Sequence, residues 1–129
     1  MSDAIVIDGK ALAKDVKDGL AVRIRTLKGL GKAVRLDAVI VGGNQSAHLY
    51  ARNQAKACGD VGIEYVLHDM TGVTSQEEVA TLIEGLNANP VVTAIMVHMP
   101  LPESIDQHEI QSRISVEKDV EGVNPANIG

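Results

Sequence analysis

The sequence predicts an α/β fold, a three-layer α-β-α domain built on a mainly parallel sheet. Three observations carry that expectation. Apolar runs suited to strands alternate with amphipathic runs suited to helices, in the order α-β-α-β-α-β-α. The strand candidates at 36–41 and 93–97 are nearly all apolar, as strands covered on both faces are. Glycines, prolines and capping residues punctuate the boundaries between runs.

Each element has its own local reason. In residues 10–30, Leu12, Val16, Leu20, Ile24 and Leu27 recur at spacings of four and three, which puts them on one helical face. Gly29-Leu-Gly31 ends that helix. Leu36-Asp-Ala-Val-Ile-Val41 reads as a strand and Gly42-Gly43-Asn44 as the turn after it. Residues 46–61 suit a helix closed by Gly62, and Ile63 to His68 a second strand. Ser75 with Glu78 three residues later forms a capping box, after which Val79, Leu82, Ile83 and Leu86 line one face of a third helix. Pro90 prevents its continuation. Thr93 to Val97 is the third strand, and residues 106–114 form a short helix with Ile110 and Ile114 inward. Ser115 to Gly129 shows no clear element.

Composition narrows the function. A chain of 129 residues with 45% apolar content can bury one domain core. It contains two tyrosines, no phenylalanine and no tryptophan, so the core must be aliphatic. Aromatic contact to a planar ligand can come only from Tyr50, Tyr65 or a histidine. A net charge of −5 argues against nucleic acid or an anionic membrane as the main partner. No stretch is long enough to span a bilayer, and Met1-Ser-Asp-Ala does not begin a signal peptide, so a cytoplasmic location is expected. Cys58, the single cysteine, cannot form an internal disulfide and reads as a small apolar helix residue in a reducing compartment. His48, His68, His98 and His108 lack metal-site spacing, and no metal is expected.

Three polar places fall at strand ends. Gly42-Gly43-Asn44 before a helix could cradle a phosphate, but it lacks a dinucleotide or P-loop fingerprint and reads better as a plain turn. On the following helix, Tyr50 and Gln54 lie four residues apart on one face near the expected ligand end, while Lys56 points elsewhere. Such a pair is more often boundary surface than a site. The third place is the stretch Thr93-Ala-Ile-Met-Val-His-Met-Pro-Leu-Pro102. A strand here ends at His98 and enters a loop stiffened by Pro100 and Pro102. Open α/β sheets place ligands at such ends. His98 is either a hydrogen-bonded structural residue or a ligand contact that titrates near neutral pH. The carboxylates Asp119 and Glu121 could join it.

Together the motifs resemble one family, the bifunctional methylenetetrahydrofolate dehydrogenase/methenyltetrahydrofolate cyclohydrolases. The points of similarity are Ile7-Asp-Gly-Lys10, Val41-Gly-Gly-Asn44, Tyr50-Ala-Arg-Asn-Gln-Ala-Lys-Ala-Cys58, Leu86-Asn-Ala-Asn89, Ile95-Met-Val-His-Met-Pro-Leu-Pro102 and Lys118-Asp-Val-Glu-Gly122. The resemblance covers residues 1–129 as the N-terminal, folate-binding catalytic domain. It implies oxidation of 5,10-methylenetetrahydrofolate with NADP or NAD, then hydrolysis to 10-formyltetrahydrofolate. It also implies a folate cleft shared with a Rossmann domain that lies outside this chain. That domain is to be supplied in cis or in trans, so no nicotinamide cofactor is expected to bind these residues alone and the isolated chain is expected to be inactive as a dehydrogenase. A homodimer is expected. Tyr50 is expected to stack on a tetrahydrofolate-type ligand, with Pro100 and Leu101 as the cleft wall.

The departures from the family pattern gather at the site. The family's catalytic lysine falls on Gln54, its glutamine after the third strand on His98, its pterin-binding aspartate on Glu121, and its serine before the tyrosine on Ala47. Gln54 carries no charge and transfers no protons. The cyclohydrolase step, which relies on the lysine, is therefore expected to be weak or lost. Hydride transfer depends more on geometry and cofactor. His98 could restore some acid–base capacity. Glu121 keeps a carboxylate but adds a methylene, which displaces either the ligand or the loop. A non-catalytic pterin-binding pseudoenzyme or interaction module is the alternative.

Overall fold

A computed structural model describes residues 9–72 and 75–122, with side chains from residue 14 onward. Helix α1 spans Gly9–Gly29, strand β1 Arg35–Val41, helix α2 Gln45–Val61 and strand β2 Glu64–Met70. Helix α3 spans Gln76–Ala88, strand β3 Ala94–Val97 and helix α4 Gln107–Arg113. The strands form one parallel sheet in the order β2-β1-β3. The architecture is α/β with helices and strands alternating. Ile7 and Asp8 of the first motif, and Asn124 to Asn127, lie outside the described residues.

Alternation along the strands divides the core into two layers. Val39, Val41, Ile95 and Val97 point to one face. There they pack with Val79, Ile83 and Leu86 of α3, and with Ile105, Ile110 and Ile114 around α4. Ala38, Ile40 and Met96 point to the other, which α2 covers with Ala47, Ala51, Cys58 and Val61. Each fully buried isoleucine contributes about 1.5–3 kcal/mol relative to exposure.

The helix ends follow their sequence signals. Asn44 caps α2, its Oδ1 accepting from Ala47 N–H at 2.9 Å, and Gly62 closes it in the left-handed conformation. Ser75 caps α3 by accepting from Glu78 N–H at 3.2 Å, although Glu78 answers through its side chain, accepting from the Ser75 hydroxyl at 3.3 Å. Asp106 caps α4.

Three features depart from the sequence expectations or go beyond them. Of the α1 stripe, only Ile24 is buried among the described side chains, while Val16, Leu20 and Leu27 are exposed. Helix α1 rests on α2 rather than on the sheet, so only one row of its apolar face finds cover. Strand β1 is not simply apolar either. Asp37 is fully buried, receiving bonds from Arg35 at 2.8 and 2.9 Å and lying 2.7 Å from His68 Nε2. The guanidinium and imidazole hold its carboxyl below the usual range although burial pushes the other way.

The stretch after Ser115 is also built, as far as Gly122. Ile95 N–H donates to Lys118 C=O at 2.8 Å, and Ile95 and Asp119 form a parallel bridge. The Lys118 ammonium donates to the carbonyls of Leu86, Asn87 and Asn89 at 3.1, 2.8 and 2.8 Å, which satisfies the open end of α3. Asn87 adds a bond to Arg113 C=O and accepts one from Ser115 N–H. Two of the recognised motifs, Leu86–Asn89 and Lys118–Gly122, are therefore parts of one clamp.

Candidate ligand-binding site

The chain leaves β1 toward α2 on one face of the sheet and leaves β3 toward α4 on the other. That divergence opens a crevice at the carboxyl ends of β1 and β3, where open α/β sheets bind ligands. A cleft of about 350 Å³ lies there, at the lower end of the usual range for small-molecule sites. Asn44, Ser46, Ala47 and Tyr50 line it from the start of α2, and Met96 to Pro100 line it from the end of β3. Glu121 closes it from the clamped tail. The two loops meet closely. Gly42 has φ +84°, and a Cβ there would stand 3.2 Å from Pro102 Cγ, so glycine is needed both for the turn and for the contact. The Met99–Pro100 peptide bond is cis.

His98 is 4% exposed. Its N–H donates to Val39 C=O at 2.8 Å, which continues the β1–β3 ladder one residue past β3. Burial pushes its pKa below the ordinary value and His48 pushes the same way, which favours the neutral ring. Tyr50 meets it edge-on, with ring centres 5.5 Å apart and planes at 74°. Tyr50 is 58% exposed, which leaves most of its ring open to a planar ligand. His48 is tied away from the cleft by Nδ1–H donation to Asn44 C=O at 2.9 Å and by Asp69 at 3.4 Å. At Glu121, desolvation and then the neighbouring Asp119 raise the carboxyl pKa. N–H donors from a ligand would offset both effects.

Of the six residues singled out from the sequence, the cleft brings together Tyr50, His98, Pro100 and Glu121. Gln54 and Leu101 do not line it. Leu101 packs against the core cluster beneath the loop. Gln54, one helical turn beyond Tyr50, lies below the cleft floor, with its Nε2 donating to Met96 Sδ at 2.8 Å. Its Oε1 is buried without a partner among the described residues. The side chain also borders a small apolar hollow with Leu20, Leu36, Cys58, Val61 and Ile63. Sequence reasoning placed Asn44 only in the turn after β1 and gave no site role to Met96. Asn44 was legible as an N-cap residue type before a helix. Met96 carried no signal beyond its place in an apolar strand.

No group of metal-ligating side chains exists among the described residues, and no described helix is long and apolar enough to cross a membrane. A wider depression over the first turns of α3, about 620 Å³, holds Glu77 and Glu78 but no histidine or aromatic ring and lies away from the cleft.

Comparison with known proteins gives concordant results. The family profile described as tetrahydrofolate dehydrogenase/cyclohydrolase, catalytic domain, matches residues 7–121. The bifunctional protein FolD of Halalkalibacterium halodurans is 39% identical over 126 residues, covering 98% of this chain and 45% of that protein. The crystal structure of the bifunctional FolD methylenetetrahydrofolate dehydrogenase/cyclohydrolase from Campylobacter jejuni superposes with a TM-score of 0.92 at 35% identity. It covers 95% of this chain and 43% of that one. The Trypanosoma brucei methylenetetrahydrofolate dehydrogenase-cyclohydrolase, complexed with NADP and an inhibitor, gives a TM-score of 0.89 at 29% identity over 96% of this chain and 42% of that one. The chain thus spans less than half the length of these relatives.

Proposed function

Because this chain belongs to the tetrahydrofolate dehydrogenase/cyclohydrolase family through its catalytic domain, we propose that its cleft binds a reduced folate in one-carbon metabolism. In this reading the cleft works as one half of a methylenetetrahydrofolate dehydrogenase with weakened cyclohydrolase chemistry. The observation that carries the reading is the convergence of Tyr50, His98, Pro100 and Glu121 on one crevice at the sheet's switch point.

Each residue has a stated task. The open face of Tyr50 stacks on the pterin ring. The Glu121 carboxylate accepts from the ring's N–H and amino groups, held in reach by the Lys118 clamp. His98 supplies a neutral hydrogen-bonding edge, and Pro100 forms the wall. Hydride transfer requires a nicotinamide cofactor, which this reading assigns to a second domain, in cis or in trans. Hydrolysis requires a proton carrier close to the reacting carbon. Gln54 offers none, and its amide is engaged with Met96 below the floor. The exposed α1 row of Val16, Leu20 and Leu27 is available to a second domain or to the partner in a homodimer. A cytoplasmic location accompanies this reading.

A second reading, a pterin-binding protein without catalysis, draws on the joint departure from the family pattern at Gln54, His98 and Glu121. Restoring lysine at Gln54, glutamine at His98 and aspartate at Glu121 in a two-domain protein separates the readings. Activity appearing only in the restored protein supports the second. The common premise is tested by calorimetric titration with tetrahydrofolate. Binding below ~1 mM is expected, with Tyr50→Ala weakening it about tenfold or more. No heat of binding at that concentration refutes the folate assignment.

A further inference from the structure

His98 has a companion on the opposite edge of the sheet. Tyr65 stands on β2, paired in register with Leu36 of β1, which in turn pairs with Ala94 of β3. Ala94, Met96 and His98 alternate onto the same face as Tyr65, the face that α2 covers. Across β1, the Tyr65 hydroxyl reaches His98 Nε2 at 3.5 Å. Among the described residues, neither atom has another hydrogen-bond partner.

We propose that Tyr65 is a positioning residue for His98. Its hydroxyl donates to Nε2, holds the neutral ring as the Nδ1–H tautomer, and so presents an N–H donor to a carbonyl oxygen on the ligand's ring. The direction of the bond follows from chemistry. A phenol is a better donor than acceptor, and the unprotonated imidazole nitrogen is the stronger base of the two. Burial pushes the Tyr65 hydroxyl up to about 12, so it keeps its proton, while the same cause keeps His98 neutral. The ring's other freedom is limited by the edge contact with Tyr50 and by the ladder bond from the His98 N–H. With Nε2 engaged behind, Nδ1 is the nitrogen left for the cleft. A donor there favours a ring carbonyl and disfavours a ring amino group at the same place, because two donors would then face each other.

The inference rests on the folate reading only for the identity of the ligand. Long-range ¹H–¹⁵N correlation spectra of the histidine-labelled chain near pH 8 report the tautomer directly, with His98 assigned by its loss in His98→Gln. The native chain is expected to show a protonated Nδ1 and a bare Nε2. Tyr65→Phe is expected to lose that preference and to bind tetrahydrofolate about tenfold more weakly, with affinity for a pterin carrying an amino group in place of the ring carbonyl unchanged. An Nε2–H tautomer in the native chain overturns the proposal, whatever the variant does. An unaltered tautomer in a folded Tyr65→Phe overturns it as well. The expected tautomers without any tetrahydrofolate binding support the Tyr65–His98 pairing and refute the folate assignment.

Discussion

Replacing Gln54 with methionine should make the chain more stable. Among the described residues, Gln54 Oε1 is shut away from solvent without a hydrogen-bond donor, and Nε2 has only a thioether sulfur, a weak acceptor. A buried carbonyl left unpaired costs about 1–3 kcal/mol, and the weak N–H···S contact returns only part of that. Methionine has nearly the same length and volume, so the substitution opens no cavity and adds no strain against Met96. The net gain should be about 1 kcal/mol. For a domain of this size that corresponds to a rise of about 4 °C in Tm, or about 0.5 M in the urea midpoint at an m-value near 2 kcal/mol/M. Thermal and urea melts of the two chains, followed by circular dichroism, measure both. A midpoint that falls in Gln54→Met would refute the reasoning, because it would mean that the amide is satisfied where it lies.

Three further outcomes follow from other contacts. Asp37→Asn removes the charge that Arg35 and His68 share, at an expected cost of about 3 kcal/mol in urea melts, because both partners stay partly buried. The Asp37 pKa is lowered on folding, so its contribution is present above about pH 4 and is lost as pH falls through the folded value. Acid destabilisation in that range should be shallower in the variant. His98 also has a lowered folded pKa, so its contribution is complete above pH 6.5 and lost on acidification below it. Urea midpoints taken from about pH 8 to 5 should fall more steeply for the native chain than for His98→Gln. Lys118→Met strips three carbonyls of their donor and should cost about 1–3 kcal/mol. Hydrogen exchange at the Ile95 amide, which donates to Lys118 C=O, should accelerate.

What the sequence made legible was governed by local rules. Strands β1 and β3 followed from nearly continuous apolar runs, and the start of α3 from Ser75, because alternation, periodicity and capping act within a few residues. The crevice itself was legible at His98, since a polar residue ending an apolar strand marks the carboxyl edge of a parallel sheet. What escaped notice depended on partners distant in the chain. Asp37 passed for one polar residue in an apolar strand because Arg35 and His68 meet it only once β1 and β2 are paired. Lys118 passed for tail because its acceptors lie at the end of α3, about thirty residues earlier. The α1 stripe has a sound helical period, but period alone does not say how much of a face finds cover. Gln54 and Tyr50 share a helix face at i and i+4, yet one turn along α2 carries Gln54 from the cleft to beneath its floor.

The claim that the strand-end cleft is a reduced-folate site is tested most directly by titrating this chain with tetrahydrofolate while recording the His98 and Tyr50 ring signals by NMR. Both rings should shift along one saturable curve with a midpoint below ~1 mM, and Glu121→Ala should move that curve to higher concentration. Saturation that leaves both rings unmoved, or no saturation at all, would contradict it.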